Sequence, residues 1–193
     1  MTKDKTNNLI RNFIIGIIII LLLVVIIYFA VHALRVQKYE GIKFETVRFG
    51  ELIMYQTSIP YFYQGQYVPY NFYLRTNPKK LKEIPFPDTL ELMKVSGATI
   101  PSNLTCDGDS IIALANLENL HTVIGASWVI DNNATCDERY NLYKIIEANK
   151  TEIVEISPRC YEVRVANCEI LPATERIMLE MFVKNAELEA PAK

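Results

Sequence analysis

Residues 42–74 read IKFETVRFGELIMYQTSIPYFYQGQYVPYNFYL, and apolar and polar side chains alternate along much of this stretch. A period of two is typical of β-strands that place one face on a core. Gly50 interrupts the first alternating run, and Asn77-Pro78 ends the last one, as turn-forming residues do. The stretch from residue 42 to about residue 85 therefore predicts a small antiparallel sheet.

Aromatic side chains occupy neighbouring positions in this predicted sheet. They are Tyr55, Tyr61, Phe62, Tyr63, Tyr67, Tyr70, Phe72 and Tyr73. Because successive strand residues point to opposite faces, these side chains cannot all lie on one face. Tyrosine is favoured at interfaces, since its ring is apolar and its hydroxyl is polar. Two interpretations stay open: the domain buries both faces by itself, or the aromatic run is an interaction surface.

The second half of the chain, residues 102–187, predicts the order helix, strands, helix. A helix over residues 111–120 could be capped by Asp107, Asp109 or Ser110. The last helix, over residues 170–187, is amphipathic. Strands are expected between these helices, over residues 123–130, 143–147, 152–156 and 161–165.

The second and third of these strands flank Asn149-Lys150, which favours a hairpin between them. Together with the aromatic-rich strands of residues 36–85, these elements predict one α+β domain over residues 36–193. The expected fold is an antiparallel sheet with about two packed helices.

An uncharged run precedes this domain. Residues 12–34 lie between Arg11 and Arg35 and consist mainly of Ile, Leu, Val and Phe. A helix of this length covers roughly 34 Å, and a bilayer core is roughly 30 Å thick. The run predicts a transmembrane signal anchor after a short cytoplasmic N-terminus, residues 1–11. The alternative is a cleaved signal peptide, whose apolar core normally has about 7 to 15 residues.

Four cysteines, all outside the apolar run, suggest two disulfides: Cys106, Cys136, Cys160 and Cys168. The predicted hairpin would place position 139 opposite Cys160, within reach of Cys136, and would leave Cys106 for Cys168. A pair of Cys160 with Cys168 is disfavoured, because an extended strand between them spans roughly 26 Å. Free Cys106 and Cys168 thiols near helix N-termini, as in a redox protein, are the alternative.

Three glycosylation sequons begin at Asn103, Asn133 and Asn149. Basic residues flank both ends of the apolar run, so they do not decide its orientation. Sequons and paired cysteines both favour a domain outside the cell. The predicted location is a single-pass protein of the cell membrane with its C-terminal domain outside.

The charged residues exclude some functions. Residues 36–193 carry 16 Lys or Arg and 21 Asp or Glu, which gives a net charge of −5. This charge argues against binding to nucleic acid and against binding to anionic lipid through a polybasic patch. Asp107 and Asp109 are weak metal-ligand candidates, since an EF-hand glutamate is absent. His121 stands in no catalytic motif, and Glu175-Arg176 forms either an ion pair or a solvated face. The sequence thus predicts no catalytic residue and no cofactor.

Several strings carry a resemblance to known proteins. They are FGE at residues 49–51, FYLRTNP at 72–78, CDGDSIIALANL at 106–117 and NCEILPATER at 167–176. With these strings the chain resembles a group of uncharacterised, single-pass, membrane-anchored archaeal proteins. The resemblance covers most of the chain and implies membrane location and a single domain. It implies no activity, because the group has none assigned.

The sequence favours a non-enzymatic, membrane-anchored surface or cell-envelope domain. Its expected partners are the membrane, through the apolar run, and a protein or a second copy, through the aromatic run. A ligand-binding module is the alternative, and a concave aromatic pocket would distinguish it. A metal-dependent or thiol-redox enzyme is a further alternative.

Overall fold

The computed structural model describes residues 3–101, 106 and 108–189, with the helical backbone alone for residues 3–13 and 30–34. The chain forms two compact units, Met1–Gln37 and Lys38–Lys193.

The first unit contains helix α1, Lys3–Arg35. Its side chains are described from Ile14 to Phe29. Within the described residues, no helix is long and apolar enough to cross a membrane. This finding corrects the prediction of a transmembrane helix over residues 12–34. The side chains of residues 12–13 and 30–34 lie outside the described set.

The aromatic-rich part of the chain forms a four-stranded sheet in the order β1-β2-β3-β4. Its strands are β1 Val36–Tyr39, β2 Ile42–Phe49, β3 Leu52–Tyr63 and β4 Gln66–Leu74. Strands β2, β3 and β4 are antiparallel neighbours joined by two-residue turns. Gly50 has φ +62° and Gly65 has φ +83°, a region that glycine adopts without strain. An antiparallel sheet is therefore present where one was expected, but its last strand ends at Leu74 rather than near residue 85.

The second half forms a five-stranded mixed sheet in the order β6-β5-β7-β9-β8. Its strands are β5 Val95–Thr99, β6 Ser127–Ile130, β7 Asn141–Glu147, β8 Glu152–Ser157 and β9 Cys160–Val165. Strand β5 is parallel to both β6 and β7, and β7 is parallel to β9. The prediction of one antiparallel sheet is therefore wrong: the domain has two sheets, and the second is largely parallel.

The predicted hairpin at Asn149-Lys150 does not exist. Strand β8 pairs with β9 instead, through a tight turn in which Arg159 has φ +62°. Strand β9 therefore lies between β8 and β7: it is antiparallel to β8 and parallel to β7. The segment around Asn149 is therefore a connection between non-adjacent strands.

Three further helices belong to the second unit: α2 Pro78–Leu81, α3 Asp109–Val123 and α4 Ile170–Glu189. Helix α3 connects β5 to β6 and so makes these strands parallel. Its N-cap is Gly108, with no side-chain capping bond. Asp109 and Ser110 lie inside the helix rather than at its cap, and Asp107 lies outside the described residues.

Helix α4 contacts both sheets and creates a shared core. It packs against α3, β9 and β2, and most of its side chains are buried. The Phe182 ring lies 6.3 Å from that of Phe44 and 5.5 Å from that of Phe72, centroid to centroid. These ring contacts show that the core covers the face of the first sheet that carries Phe44 and Phe72.

Candidate functional site

The opposite face of the first sheet is solvent-exposed, and we call it the outer face. Alternation along β2, β3 and β4 assigns fourteen residues to it. They are Lys43, Glu45, Val47, Phe49, Leu52, Met54, Gln56, Ser58, Pro60, Phe62, Tyr67, Pro69, Asn71 and Tyr73. All are exposed or half-buried. The described residues thus leave an entire sheet face without a covering layer.

The β3–β4 hairpin reaches beyond β2. Nine residue pairs join β3 to β4, as far as Tyr63 and Gln66, whereas the β2–β3 pairs end at Glu45 and Gln56. We call residues 60–70 the hairpin tip, and apart from half-buried Tyr61 they are all exposed. Both faces of the tip are therefore open to solvent.

The hairpin tip divides the predicted aromatic run. At its base Phe72 is buried against α4, and Tyr55 and Tyr73 are half-buried. The exposed fractions of the outer rings are 58% for Phe62, 53% for Tyr63, 75% for Tyr67 and 37% for Tyr70. The domain therefore covers the base of the run and leaves its outer part open.

The rings of the hairpin hold one another in place. On the core-side face, Tyr61 lies 6.2 Å from Tyr63 and 6.3 Å from Tyr70, and Tyr70 lies 4.9 Å from Phe72. On the outer face, Phe62 and Tyr67 lie 5.2 Å apart. Contacts at these centroid separations are favourable for aromatic pairs. The exposed rings thus form a pre-arranged apolar surface.

No charged side chain interrupts this surface. Between Leu52 and Leu74 the sequence has no Asp, Glu, Lys or Arg, while Glu51 and Arg75 stand immediately outside. Burying an uncharged surface avoids the desolvation penalty of ions. This charge-free interval was readable in the sequence and would have located the surface more sharply than aromatic content did.

Strand β4 is an edge strand of its sheet, but its edge is poorly suited to pairing with another strand. Pro69 faces Pro60 across the β3–β4 ladder. In a hairpin with a two-residue loop this pair is a non-hydrogen-bonded one, so position 69 directs its backbone toward the free edge. Proline has no N–H to offer there, which blunts the edge. Contacts at the hairpin are therefore expected to use side chains.

All four cysteines form disulfides. Cys106 bonds to Cys168, and Cys136 bonds to Cys160, with Cα–Cα distances of 5.2 and 5.4 Å. This is the pairing favoured by the sequence, although the hairpin used to argue for it is absent. Cys136 reaches Cys160 because its loop leads into β7, the strand beside β9. The alternative of free Cys106 and Cys168 thiols does not fit this structure.

Two of the three sequons lie on the described surface. Asn133 and Asn149 are exposed, and Asn103 lies outside the described residues. The sequon hydroxyl of Thr151 is buried, and it donates to Glu169 Oε2 at 2.5 Å. The sequon at Asn149 therefore has an exposed asparagine, but the hydroxyl of its threonine is buried and hydrogen-bonded.

The weak metal candidates are not brought together. Asp109 pairs with the Arg75 guanidinium at 3.2 Å, and Asp107 lies outside the described residues. Among the residues that the structure describes, no group of three or more His, Cys, Asp or Glu side chains is arranged to hold a metal ion.

Glu175 and Arg176 form neither an ion pair with each other nor a solvated face. Glu175 is fully buried, and its carboxylate accepts the backbone N–H groups of Arg75 at 2.6 Å and Thr76 at 2.9 Å. Burial raises the pKa of Glu175, and these N–H donors partly oppose that rise. Arg176 donates to the Ile84 carbonyl oxygen at 3.1 Å and pairs with Glu180. Both residues thus connect α4 to the segment after β4.

His121 lies in the last turn of α3 and is buried against aromatic rings. Its ring centroid is 4.7 Å from that of Trp128 and 6.4 Å from that of Tyr143. Nδ1 lies 2.7 Å from the Leu117 carbonyl oxygen, so Nδ1 is the donor and Nε2 carries the lone pair. Burial lowers the pKa of His121 to about 4. The residue is therefore a neutral group of the core.

This burial makes stability depend on pH. The pKa of His121 falls from 6.5 in the unfolded chain to about 4 in the folded one. Between these values the unfolded state binds a proton that the folded state does not, so stability falls as the pH falls. We expect a loss of about 3 kcal/mol from this group between pH 7 and pH 4. Urea unfolding across this range measures it.

The His121→Phe variant is the control, since its ring also fits beside Trp128 but does not titrate. Its unfolding free energy should fall less steeply between pH 7 and pH 4, and the difference between the two slopes isolates His121. Equal slopes in both proteins would contradict the assignment.

Comparison with protein-family models, with curated proteins and with solved structures finds no match to this chain. The resemblance to membrane-anchored archaeal proteins therefore stays a prediction. Functional interpretation depends on the outer face, the hairpin tip and the disulfides.

Proposed function

We propose that this chain is a non-enzymatic interaction domain that works outside the cytoplasm and binds a protein partner through its hairpin tip. The observation that carries the proposal is the exposed, charge-free aromatic surface at the end of β3 and β4. Contiguous exposed apolar surface on a folded domain is typical of a binding site. The base of the same hairpin is packed on α4, where the Phe72 ring contacts that of Phe182.

The energy available from this surface is sufficient for specific binding. Fully burying one large apolar side chain contributes about 1.5 to 3 kcal/mol. Tyrosine is also among the residues that most often dominate interface energetics. The ring contacts within the hairpin reduce the entropy that a partner must remove on binding. A protein surface that covers Phe62 and Tyr67 would gain most, since these two rings are the most exposed of the tip.

The disulfides support an oxidising compartment. Such bonds persist in secreted and surface proteins and are rare in the cytosol. The exposed Asn133 and Asn149 are compatible with the same location. A ligand-binding module would instead need a concave site, whereas the hairpin tip is exposed on both faces.

Photo-cross-linking in cells tests the proposed surface. A benzoylphenylalanine probe replaces Tyr67 in the full chain, and a matched probe replaces Ile111, whose side chain is 72% exposed on α3. We expect a discrete protein adduct from position 67 and none of the same mass from position 111. Adding Phe62→Ser should abolish the adduct, because it removes the neighbouring ring of the surface.

Circular dichroism and the melting temperature establish that each probe-bearing chain is folded. A folded chain that gives no adduct from position 67 would refute the proposed function. The same conclusion follows if positions 67 and 111 give identical adducts, since the contact would then be non-specific.

A further inference from the structure

We infer that the partner is a second copy of this chain, and that two copies pack their outer faces together around a two-fold axis. The hairpin tip of each copy lies on the β2–β3 turn of the other. This inference rests on the proposed function, because it names the partner of the same surface.

Apolar residues are concentrated at the two ends of the outer face. Phe62 and Tyr67 lie at the hairpin tip, with exposed fractions of 58% and 75%. Phe49 and Leu52 face each other at the β2–β3 turn and are 53% and 52% exposed. Ten steps along β3, from Leu52 to Phe62, place these ends about 33 Å apart.

The centre of the outer face is polar. Ser58 lies directly opposite Asn71, and its hydroxyl donates to Asn71 Oδ1 at 2.6 Å. Gln56 follows on the same strand face. The outer face thus has an apolar segment at each end and a polar segment between them. When a second copy is rotated by 180° so that its ends are exchanged, apolar segments lie on apolar segments and polar on polar. A two-fold axis through the polar centre then sets each apolar tip on an apolar turn.

The charge pattern favours a copy of the same chain. In a two-fold interface every charge near the axis lies close to its own duplicate, and like charges repel. The outer-face positions of β3 and β4 carry no charge, so they meet no such penalty. On β2, Lys43 and Glu45 neutralise each other at 2.9 Å. The net charge of −5 over residues 36–193 makes an anionic lipid surface a poorer occupant.

The exposed area is of the right size. Phe49, Leu52, Phe62 and Tyr67 together expose about 480 Å², taking about 200 Å² for a full large side chain. A standard interface buries about 800 Å² per partner. The half-buried Met54 and Tyr73 and the two prolines of the same face add to this area. Face-to-face packing of two sheets, about 10 Å apart, is a common arrangement.

A charge exchange tests both the partner and the geometry. Sedimentation velocity over a concentration series compares the purified full chain with Leu52→Glu, with Tyr67→Lys and with the variant that carries both. Each single variant should weaken self-association by at least about 100-fold, because it buries an unpaired charge. The double variant should regain at least about 10-fold over either single variant, since the carboxylate introduced at position 52 of one copy then meets the ammonium introduced at position 67 of the other.

Ile111→Glu is the matched control, because Ile111 is also apolar and is 72% exposed, close to the 75% of Tyr67, but lies on α3. It should associate as the unmodified chain does. If both single variants associate normally, another part of the chain drives the association and the inference fails. If both weaken and the double variant regains nothing, the end-for-end arrangement is wrong.

The remaining outcomes separate this inference from the proposed function. A chain that stays monomeric, while the probe at position 67 still captures a different protein in cells, overturns the second copy and leaves the interaction domain intact. A monomeric chain that gives no protein adduct and binds phosphatidylcholine or phosphatidylglycerol vesicles through the same residues overturns both.

Discussion

Replacing Cys106 and Cys168 together with alanine should lower the free energy of unfolding by about 4 kcal/mol. The disulfide joins residues that are 62 positions apart, and it removes the corresponding loop-closure entropy from the unfolded chain. Its two ends lie just before α3 and just before α4. These helices contact each other extensively, so the bond fixes the connection on which the shared core is built.

The second disulfide provides an internal comparison. Cys136 and Cys160 are 24 positions apart, and their replacement with alanine should cost about 3 kcal/mol. Guanidinium unfolding of both paired variants measures the two losses under the same conditions. Reduction of the unmodified chain should reproduce their combined effect. Losses below about 1 kcal/mol for the longer loop, or a larger loss for the shorter one, would refute this account.

The same cysteines report the compartment. A membrane-impermeant maleimide applied to intact cells should label the chain only after reduction. This result would support the proposed extracytoplasmic location. If the thiols cannot be reached in intact cells but label without reduction after lysis, the domain lies in the cytoplasm. The cysteines would then be reduced in the cell, and the disulfides would not stabilise the protein there.

Local sequence patterns were sufficient for the first sheet and for the two long helices. Alternation along residues 42–74 and turn signals such as Gly50 act between neighbouring residues, and antiparallel strands joined by short turns need nothing else. Helix α4 likewise shows its apolar spacing directly, whereas α3 does so only in part, since Leu117 and Leu120 are buried but Ile111 is 72% exposed. The ends of both helices differ from expectation by up to three residues, because helix termini fray and are the least well-defined part of a helix.

The mixed sheet could not be predicted in the same way, since β5, the strand between β6 and β7, consists mainly of small residues. Strand β5 contains Ser96, Gly97 and Ala98, which are small. The rings of Trp128 and Tyr143, on the two flanking strands, lie only 6.2 Å apart above it. A Cβ at Gly97 would lie 2.8 Å from the Val129 carbonyl oxygen. Small residues are thus required by non-local packing, and that packing is invisible in the sequence.

The candidate site, too, could be predicted from the sequence only in part. Aromatic content located the surface correctly in the chain, and the absence of charge between Leu52 and Leu74 was also readable. Which rings are buried depends on Phe182, which lies about a hundred residues further along the chain. Only the three-dimensional structure therefore separates the buried base of the hairpin from its exposed tip.

Glu175 is the residue whose single replacement should cost most. Glu175→Ala removes the acceptor of the backbone N–H groups of Arg75 and Thr76 and empties a fully buried side-chain position. Each unsatisfied donor costs about 1 to 3 kcal/mol, and with the lost packing the free energy of unfolding should fall by about 4 kcal/mol. Urea unfolding at pH 7 measures this loss.

Two variants test the physical cause. Glu175→Gln keeps the volume and one acceptor oxygen, so it should lose about half as much. Glu187→Ala removes an exposed carboxylate from the same helix, one whose only described pairing is with Lys184 at 3.2 Å. Such surface pairs contribute less than about 1 kcal/mol, so this control should remain close to the unmodified chain.

The consequence for the hairpin is specific. Glu175 holds the backbone immediately after β4, so its loss should release the hairpin base from α4 before the mixed sheet opens. Hydrogen exchange on Glu175→Ala should therefore rise first at the inner ends of β3 and β4, around Tyr55 and Leu74. If exchange rises equally in β7 and β9, Glu175 stabilises the whole core instead, and the hairpin is not an independently anchored element.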